Sequence, residues 1–150
     1  MEIERKYLID RDLLPENLAS YPHSLIEQAY LCTHPVVRVR RQDDSYILTY
    51  KGGGMMSREE YNLPLTGEAY AHLLKKADGT IITKTRYRIP LGRDGLTIEL
   101  DLFAGKWEGL ILAEVEFPDL ESAEHFLPPA WFGEDVTFKE QYHNSWMSCH

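Results

Sequence analysis

The chain has 150 residues, of which 43% are hydrophobic and 27% charged, and these are ordinary values for a globular protein. Its net charge of −8 argues against a general nucleic-acid-binding protein, because such proteins usually carry a basic surface. It has no signal-peptide pattern, and no apolar stretch approaches the ~20 residues that span a bilayer. The two cysteines, Cys32 and Cys149, are too few for a disulfide scaffold. We therefore expect one cytoplasmic domain over residues 1–150, without a nucleic-acid polymer or a membrane as partner.

Short runs of alternating apolar and polar residues follow one another along the chain, with turn residues between them. This pattern is typical of an antiparallel β protein whose strands are joined by hairpins. It predicts eight strands, at residues 1–9, 25–32, 36–42, 45–51, 57–63, 80–90, 95–103 and 111–117. Because eight strands in hairpin order exceed what a small open sheet needs, we expect a closed β-barrel.

Capping residues predict three helices between these strands, and a fourth after residue 135. The first prediction covers residues 11–20, with Asp10 or Asp12 as N-cap and Pro15 in the first turn. The second covers residues 66–77 and the third residues 121–127. With these helices packed outside the barrel, the predicted fold class is α+β and mainly antiparallel β.

The first strand carries Glu2, Glu4 and Lys6 at alternate positions. Successive side chains of a strand point to opposite faces, so two carboxylates and one ammonium share a face. Carboxylates at alternate positions lie about 7 Å apart, a spacing that suits a hard divalent cation, which prefers oxygen ligands. Taken alone, this strand also fits a solvated face with two acids and a base.

Charged residues on the later strands sort by sign in the same way. We call the alternate residues of a strand, whose side chains share one face, a parity of that strand. Three strands carry cations on one parity, at Arg38, Arg40, Lys51, Lys84, Arg86 and Arg88. Three others carry carboxylates, at Glu2, Glu4, Glu99, Asp101, Glu114 and Glu116. Because a solvated face would mix the two signs, we expect the charged parity to line a wet interior. Clustered cations favour a polyanion and clustered carboxylates favour divalent metals, so a metal–polyphosphate complex satisfies both.

In these charged motifs and their order, the chain resembles the CYTH superfamily, the triphosphate tunnel metalloenzymes. The hallmark of the family, an ExExK strand, is Glu2-Ile3-Glu4-Arg5-Lys6 here. The motifs that follow keep the family order: Gln28-Ala29-Tyr30, Arg38-Val39-Arg40, Lys51, Arg58-Glu59-Glu60, Lys84-Thr85-Arg86, Glu99-Leu100-Asp101 and Glu114-Val115-Glu116. Residues 139–144 resemble the closing lysine and Tyr-x-Asn segment. The resemblance covers essentially the whole chain and implies an eight-stranded tunnel that binds a triphosphate with Mg²⁺ or Mn²⁺.

The resemblance also implies roles for individual positions. The metal-side acids would be Glu2, Glu4, Asp101, Glu114 and Glu116, and it stays open which of them touch the metal directly. Substrate binding would fall to Lys6, Arg38, Arg40, Lys51, Glu60, Lys84 and Arg86. In small bacterial members that cleave inorganic triphosphate, a Lys–Tyr pair is linked to catalysis. The catalytic residues here would accordingly be Lys84, Tyr30 and the metal-side Glu4.

We therefore expect metal-dependent hydrolysis of inorganic triphosphate to phosphate and pyrophosphate inside the tunnel, with inorganic triphosphate or another triphosphate-bearing small molecule as the binding partner. The alternatives are a thiamine or nucleoside triphosphatase, a class IV adenylate cyclase, and a non-catalytic polyphosphate-binding module. Cyclase members tend to carry a His-Phe pair ahead of the ExExK strand, which a chain opening at Glu2 does not offer. The sequence leaves open whether the protein forms a homodimer. It also leaves open whether residues 139–148 plug one tunnel end or dock as an ordinary terminal helix.

Overall fold

The computed structural model describes residues 1–150 and contains ten strands and three short helices. The strands are β1 (Glu2–Ile9), β2 (His23–Thr33), β3 (Val36–Gln42), β4 (Ser45–Lys51), β5 (Ser57–Arg58), β6 (Glu60–Pro64), β7 (Asp78–Pro90), β8 (Thr97–Phe103), β9 (Ile111–Glu116) and β10 (Phe132–Asp135). The helices are α1 (Gly67–Leu74), α2 (Leu120–Glu124) and α3 (Asn144–Cys149). No helix is long and apolar enough to cross a membrane.

The strands form one antiparallel sheet in the order β10-β1-β9-β8-β7-β2-β3-β4-β6. The sheet curls back on itself because β5, one residue before β6, pairs with the start of β1, where Arg58 lies opposite Glu2. The far half of β1 pairs with β10 instead, where Tyr7 lies opposite Asp135. The result is a nearly closed barrel, which confirms the predicted architecture.

The strand and helix predictions differ from the structure in three places. The predicted strand 57–63 divides into β5 and β6, and the short strand β10 is absent from the prediction. The predicted helix at residues 11–20 is wrong, because this stretch holds two separate 3-10 turns. Leu14 between them has a ψ of 146°, since the proline ring of Pro15 disfavours helical geometry in the residue before it.

The helices predicted from capping residues are present but shorter than expected. The Thr66 hydroxyl accepts a hydrogen bond from the Ala69 amide at the start of α1, and Asp119 caps α2 through the Ser122 amide. Such caps satisfy backbone donors that have no partner inside the helix. A terminal helix also forms after residue 135, as expected, but only from residue 144 onward.

The outward parity of the strands forms the main apolar core. Twelve buried residues from β1, β7, β8, β9, β10 and their flanks, and from α2, make one cluster, in which Leu100 and Val115 are completely buried. Burial of this much apolar surface is the dominant stabilising term available to a fold of this size. Because the apolar parity faces outward onto the helices and turns, the charged parity must face the interior of the barrel.

The interior becomes apolar toward one end of the barrel, where α3 docks. Leu8, Ile82 and Leu112 continue the inward-facing rows of β1, β7 and β9 beyond their charged residues, and they pack with Met147 of α3. Met147 is completely buried. Asn144, at the start of the same helix, reaches the polar part of the interior. The C-terminal segment therefore closes this end of the barrel and also lines the cavity behind it.

His143, just before α3, gives a test of how this segment is held. It is buried, its Nε2 lies 2.9 Å from the Thr137 carbonyl oxygen, and burial together with the Lys6 charge lowers its pKa to about 4. The ordinary histidine pKa lies near 6.5, so the unfolded chain binds a proton more readily than the folded chain. Stability from this residue is therefore full above pH 6.5 and is lost as the pH falls toward 4.

We expect His143→Gln to weaken this pH dependence. Between pH 7 and pH 4 the wild type should lose about 3 kcal/mol more unfolding free energy than the variant, as measured by urea titration. His72→Gln, at an exposed position on α1, serves as the matched control and should follow the wild type. Parallel curves for wild type and His143→Gln would contradict the assignment of a neutral, buried imidazole.

Candidate active site

The barrel encloses a polar cavity of about 210 Å³, which we call the tunnel. Its lining includes only three hydrophobic residues, Tyr30, Val36 and Ile47, among twenty. The predicted site residues that line it are Glu2, Glu4, Lys6, Tyr30, Arg38, Arg40, Lys51, Glu60, Lys84, Arg86, Glu114 and Glu116. Among the predicted site residues, only Asp101 lies outside this lining. Seven strands contribute these side chains, and the curled sheet brings their inward-facing positions together around one cavity.

Asp101 does not line the tunnel and is completely buried. Its two carboxylate oxygens accept hydrogen bonds from Arg86 at 2.7 and 2.9 Å, and Lys84 Nζ lies 2.7 Å from Oδ2. Although burial acts to raise the pKa of Asp101, the charges of Arg86 and Lys84 hold it below its usual range. Both oxygens are therefore committed to cations of the protein, and the side chain holds Lys84 and Arg86 in place.

Because Asp101 compensates two buried cations, we expect Asp101→Leu to lower the unfolding free energy strongly. Removing one partner of a buried ion pair leaves an uncompensated charge and costs about 3–5 kcal/mol. Urea unfolding at neutral pH checks this expectation.

Glu99→Gln is the matched control for Asp101→Leu. Glu99 also contacts Arg86, at 3.0 Å, but its side chain is 31% exposed. Because solvent reaches the Glu99 carboxylate, its pair with Arg86 should contribute only about 1 kcal/mol. Equal losses in the two variants would contradict the anchoring role of Asp101.

The carboxylates of β1 and β9 meet at one wall of the tunnel. Glu4 and Glu116 are direct cross-strand partners, and we call this pair the acidic edge. Burial, together with the charges of Glu114 and Glu2, raises the pKa of Glu4 to about 8. Burial and neighbouring acids also raise the pKa of Glu116. Like charges placed opposite each other destabilise a sheet unless a cation lies between them.

Most other tunnel acids already have a cation at short range. Glu2 contacts Lys51 at 2.9 Å and Arg58 at 3.4 Å, and Glu114 contacts Lys6 at 3.2 Å. The nearest cation to Glu4 is Arg58, at 4.0 Å. The acidic edge is therefore the least compensated negative charge in the tunnel.

The opposite wall carries the cations of β3. Arg38 is buried and its Nε has no hydrogen-bond partner, while its Nη2 donates to the Thr49 hydroxyl at 3.2 Å. Arg40 donates from Nε and Nη2 to the Gln28 side-chain oxygen, at 2.8 and 2.6 Å. A buried donor without a partner is costly, so the wall is built to receive acceptor oxygens. Guanidinium groups in this arrangement match phosphate oxygens.

Lys84 lies on β7, between the strands of the two walls, and is only 1% exposed. Burial lowers its pKa to about 7, an effect that Asp101 partly offsets. Its ammonium contacts Asp101 at 2.7 Å and the Asn144 side-chain oxygen at 3.2 Å. Tyr30, its predicted catalytic partner, also lines the tunnel but takes no part in either of these contacts.

Several tunnel residues are missing from the sequence prediction of the site. Arg58 contacts Glu2 and Glu4. It lies two residues before the predicted residue Glu60, and this spacing could have predicted that its side chain faces the tunnel. Gln28 and Asn144 lie in motifs that support the family resemblance. Because their side-chain amides are neutral, they do not appear in the pattern of charged residues from which the site was predicted. Their contribution depends on contacts between distant parts of the chain, 116 residues apart.

The acidic edge also fits a divalent cation. No three acidic, histidine or cysteine side chains of the chain converge closely enough to enclose an ion by themselves. Mg²⁺ commonly uses one or two carboxylates and completes its coordination with waters and substrate phosphates. Two cross-strand carboxylates with raised pKa values, on the wall of the tunnel opposite the arginines of β3, match that donor set.

Comparisons with known proteins agree with this geometry. The CYTH domain matches residues 1–145. An inorganic triphosphatase from Nitrosomonas europaea is 38% identical, over 95% of this chain and 93% of that protein. An inorganic triphosphatase from Acetivibrio thermocellus is 36% identical, over 96% of this chain and 90% of that protein.

A solved structure has the same fold. The crystal structure of the inorganic triphosphatase NE1496 aligns with a TM-score of 0.72 at 34% identity. The alignment covers all of this chain and 95% of that one. Together, the domain match, the relatives and the tunnel geometry show that the chain belongs to the CYTH family.

Proposed function

We propose that this protein hydrolyses inorganic triphosphate to phosphate and pyrophosphate inside the tunnel. The observation that carries the proposal is a single small cavity with a carboxylate wall facing a guanidinium wall. A triphosphate with a divalent cation neutralises both walls at once. The two relatives named inorganic triphosphatase, each covering at least 95% of this chain, support the same substrate.

The size and polarity of the tunnel favour a substrate without an organic group. Its volume of about 210 Å³ lies below the ~300–1,000 Å³ of typical small-molecule pockets. A nucleobase or a thiazole ring would need an apolar or aromatic surface, and the lining offers only Tyr30, Val36 and Ile47. A nucleoside would therefore have to remain outside the polar cavity, without dedicated contacts.

Membership of the CYTH family implies a divalent metal cofactor. We propose Mg²⁺ or Mn²⁺, held by Glu4 and Glu116, with Glu2 and Glu114 beside them. When bound, the cation would polarise phosphate oxygens and lower the pKa of a coordinated water. Asp101, originally predicted on the metal side, is better suited to positioning Lys84 and Arg86, because both of its oxygens are occupied.

The cations bind and orient the phosphate chain. Arg38 and Arg40 grip equatorial oxygens, Lys6, Lys51 and Arg86 neutralise the remaining charge, and Glu60 orients Lys51 at 3.4 Å. Water attacks the terminal phosphorus and gives up a proton to the released phosphate or to solvent, while the bond to the bridging oxygen breaks and pyrophosphate leaves. Lys84 stabilises the charge that develops on pyrophosphate, with Tyr30 beside it. Such preorganised donors supply most of the catalysis in phosphoryl transfer.

Other properties stay predictions of the sequence. These are the single domain over residues 1–150, the cytoplasmic location, and the lack of nucleic-acid and membrane partners, while a homodimer stays open. Both cysteines, Cys32 and Cys149, are exposed and form no disulfide.

The test is a product analysis with triphosphate, ATP and thiamine triphosphate, each with Mg²⁺ or Mn²⁺. Phosphate, pyrophosphate and cyclic AMP are measured separately. We expect rapid release of equimolar phosphate and pyrophosphate from triphosphate, and much slower reaction of the two organic substrates. Cyclic AMP and pyrophosphate from ATP would instead identify a cyclase, and tight binding without turnover a polyphosphate-binding protein.

A further inference from the structure

Two tunnel lysines on different strands share one pattern of contacts. Lys84 Nζ contacts Asp101 and the Asn144 side-chain oxygen, at 2.7 and 3.2 Å. Lys6 Nζ contacts Glu114 and the Tyr142 backbone oxygen, both at 3.2 Å. In each case a strand provides the carboxylate and the C-terminal segment provides the neutral oxygen. An ammonium has three donors, so each lysine keeps one N–H for the tunnel.

A second contact extends this pattern to Arg40, on the tunnel wall formed by β3, which we call the arginine wall. Gln28 is completely buried, and its amide nitrogen donates to the Asn144 oxygen at 3.1 Å. The oxygen of the same amide accepts both hydrogen bonds from Arg40. One Asn144 oxygen therefore joins Lys84 of β7 to Arg40 of β3 through Gln28 of β2. We call Arg40, Gln28, Asn144 and Lys84 the amide relay.

We propose that Asn144 and Gln28 are positioning residues of the reaction, which orient Lys84 and Arg40 so that their remaining N–H groups point at the phosphate chain. This inference rests on the proposed function. Neutral amides suit the task because they accept hydrogen bonds without adding charge. A carboxylate at either position would neutralise a cation that the substrate needs.

The C-terminal segment is held firmly enough to act in this way. Met147 and Ser148 of α3 are completely buried, and Gly79 of β7 approaches the Ser148 carbonyl oxygen closely. A Cβ atom at Gly79 would lie 2.1 Å from that oxygen, so the contact requires glycine. The backbone that carries Asn144 is thus fixed against the barrel, as an orienting group requires.

The test compares Asn144→Ala, Gln28→Leu and the double variant with the wild type. Loss of a hydrogen bond to a charged group should lower kcat for triphosphate by about 10- to 100-fold in each single variant. KM should change less, because the oriented donors act mainly in the transition state. Because the two residues belong to one relay, the double variant should lose little more than the worse single variant.

Cys149→Ala, at an exposed position on the same helix, is the control for helix docking and should keep the wild-type kcat. All variants are compared by thermal melting. If the kcat loss of Asn144→Ala is absent, if the two single effects multiply in the double variant, or if activity merely follows the melting temperature, the positioning role is overturned.

Calorimetry with triphosphate in EDTA separates this inference from the proposed function. Without metal the titration reports ground-state anion binding alone, and Asn144→Ala should bind only about threefold more weakly than the wild type, because the oriented donors act mainly in the transition state. A wild type that binds triphosphate but does not hydrolyse it with metal contradicts the proposed function, while the affinity of Asn144→Ala still tests the relay. Equal affinities in EDTA would count against the relay whatever the turnover.

Discussion

Lys84→Met should lower kcat for triphosphate by about 100-fold or more, as expected when one preorganised donor at a developing charge is removed. The ammonium of Lys84 is buried against Asp101 and Asn144, so no other cation can take the same position. Methionine keeps most of the side-chain volume. Asp101 keeps its two hydrogen bonds from Arg86, so the variant should remain folded. Steady-state phosphate release, together with a melting curve, measures both effects.

Lys76→Met is the matched control, because Lys76 is exposed near the end of α1 and undergoes the same chemical change. Its kcat should equal that of the wild type. Near-normal turnover in Lys84→Met at saturating metal and substrate would remove Lys84 from the proposed catalytic group.

Glu4→Gln should also lower turnover by about 100-fold or more, by removing a charge from the acidic edge where transition-state electrostatics are set. The concentration of Mg²⁺ at half-maximal rate should rise, because a neutral amide is a poorer ligand than a carboxylate. In EDTA at neutral pH the variant should be about as stable as the wild type, because a pKa of about 8 leaves most of Glu4 protonated and the amide is a close substitute for the neutral acid. Metal titrations of the rate and urea unfolding in EDTA check the two expectations.

Glu59→Gln provides the same charge change one residue from Glu60, on an exposed side chain. We expect wild-type metal dependence and turnover there. An unchanged metal requirement in Glu4→Gln, or a large loss of stability in EDTA, would contradict the acidic edge as the metal site.

Strand parity predicts most of the side chains that share the tunnel, although Asp101 and Arg88 have the same parity and lie outside its lining. Glu2, Glu4 and Lys6 alternate on β1, and the same period of two places Glu114 and Glu116 beside them on β9. In a sheet whose other face carries the apolar core, a shift of one residue would bury the charges in that core. The strand register is therefore strongly specified, and the charged residues of each strand stay on the face that lines the tunnel.

Parity does not predict how deep a residue lies. Asp101 shares the parity of Glu99, but its partner on β9 is Leu112, and it lies outside the tunnel lining with both oxygens occupied. Depth depends on strand tilt and stagger, which a single strand pattern does not contain. For this reason Asp101 was grouped with the metal-side acids by sequence.

Long-range contacts of uncharged groups were also beyond sequence analysis. Asn144 reaches Gln28 and Lys84 only because α3 docks across the end of the barrel. The edge strand β10 likewise forms by pairing with β1 rather than by a strong pattern of its own. At residues 11–20 the capping signal was real, since Asp10 accepts from the Asp12 amide, but Pro15 prevented the helix from continuing.

The charges of the tunnel explain why an anion and a metal are needed together. Unpaired buried charges are costly, and most tunnel charges are already matched within the protein. The remaining imbalance is a pair of carboxylates on one wall and guanidinium donors without full partners on the other. A cation alone would leave the arginine wall unsatisfied, and an anion alone would leave the acidic edge unsatisfied.

The most direct test is ³¹P NMR of triphosphate hydrolysis by the wild type with Mg²⁺ in ¹⁸O-labelled water. Attack of water on the terminal phosphorus predicts one orthophosphate and one pyrophosphate per triphosphate, with the label in orthophosphate only. The reaction should stop in EDTA. Intact triphosphate after prolonged incubation with Mg²⁺ or Mn²⁺, or label in the pyrophosphate, would contradict the account.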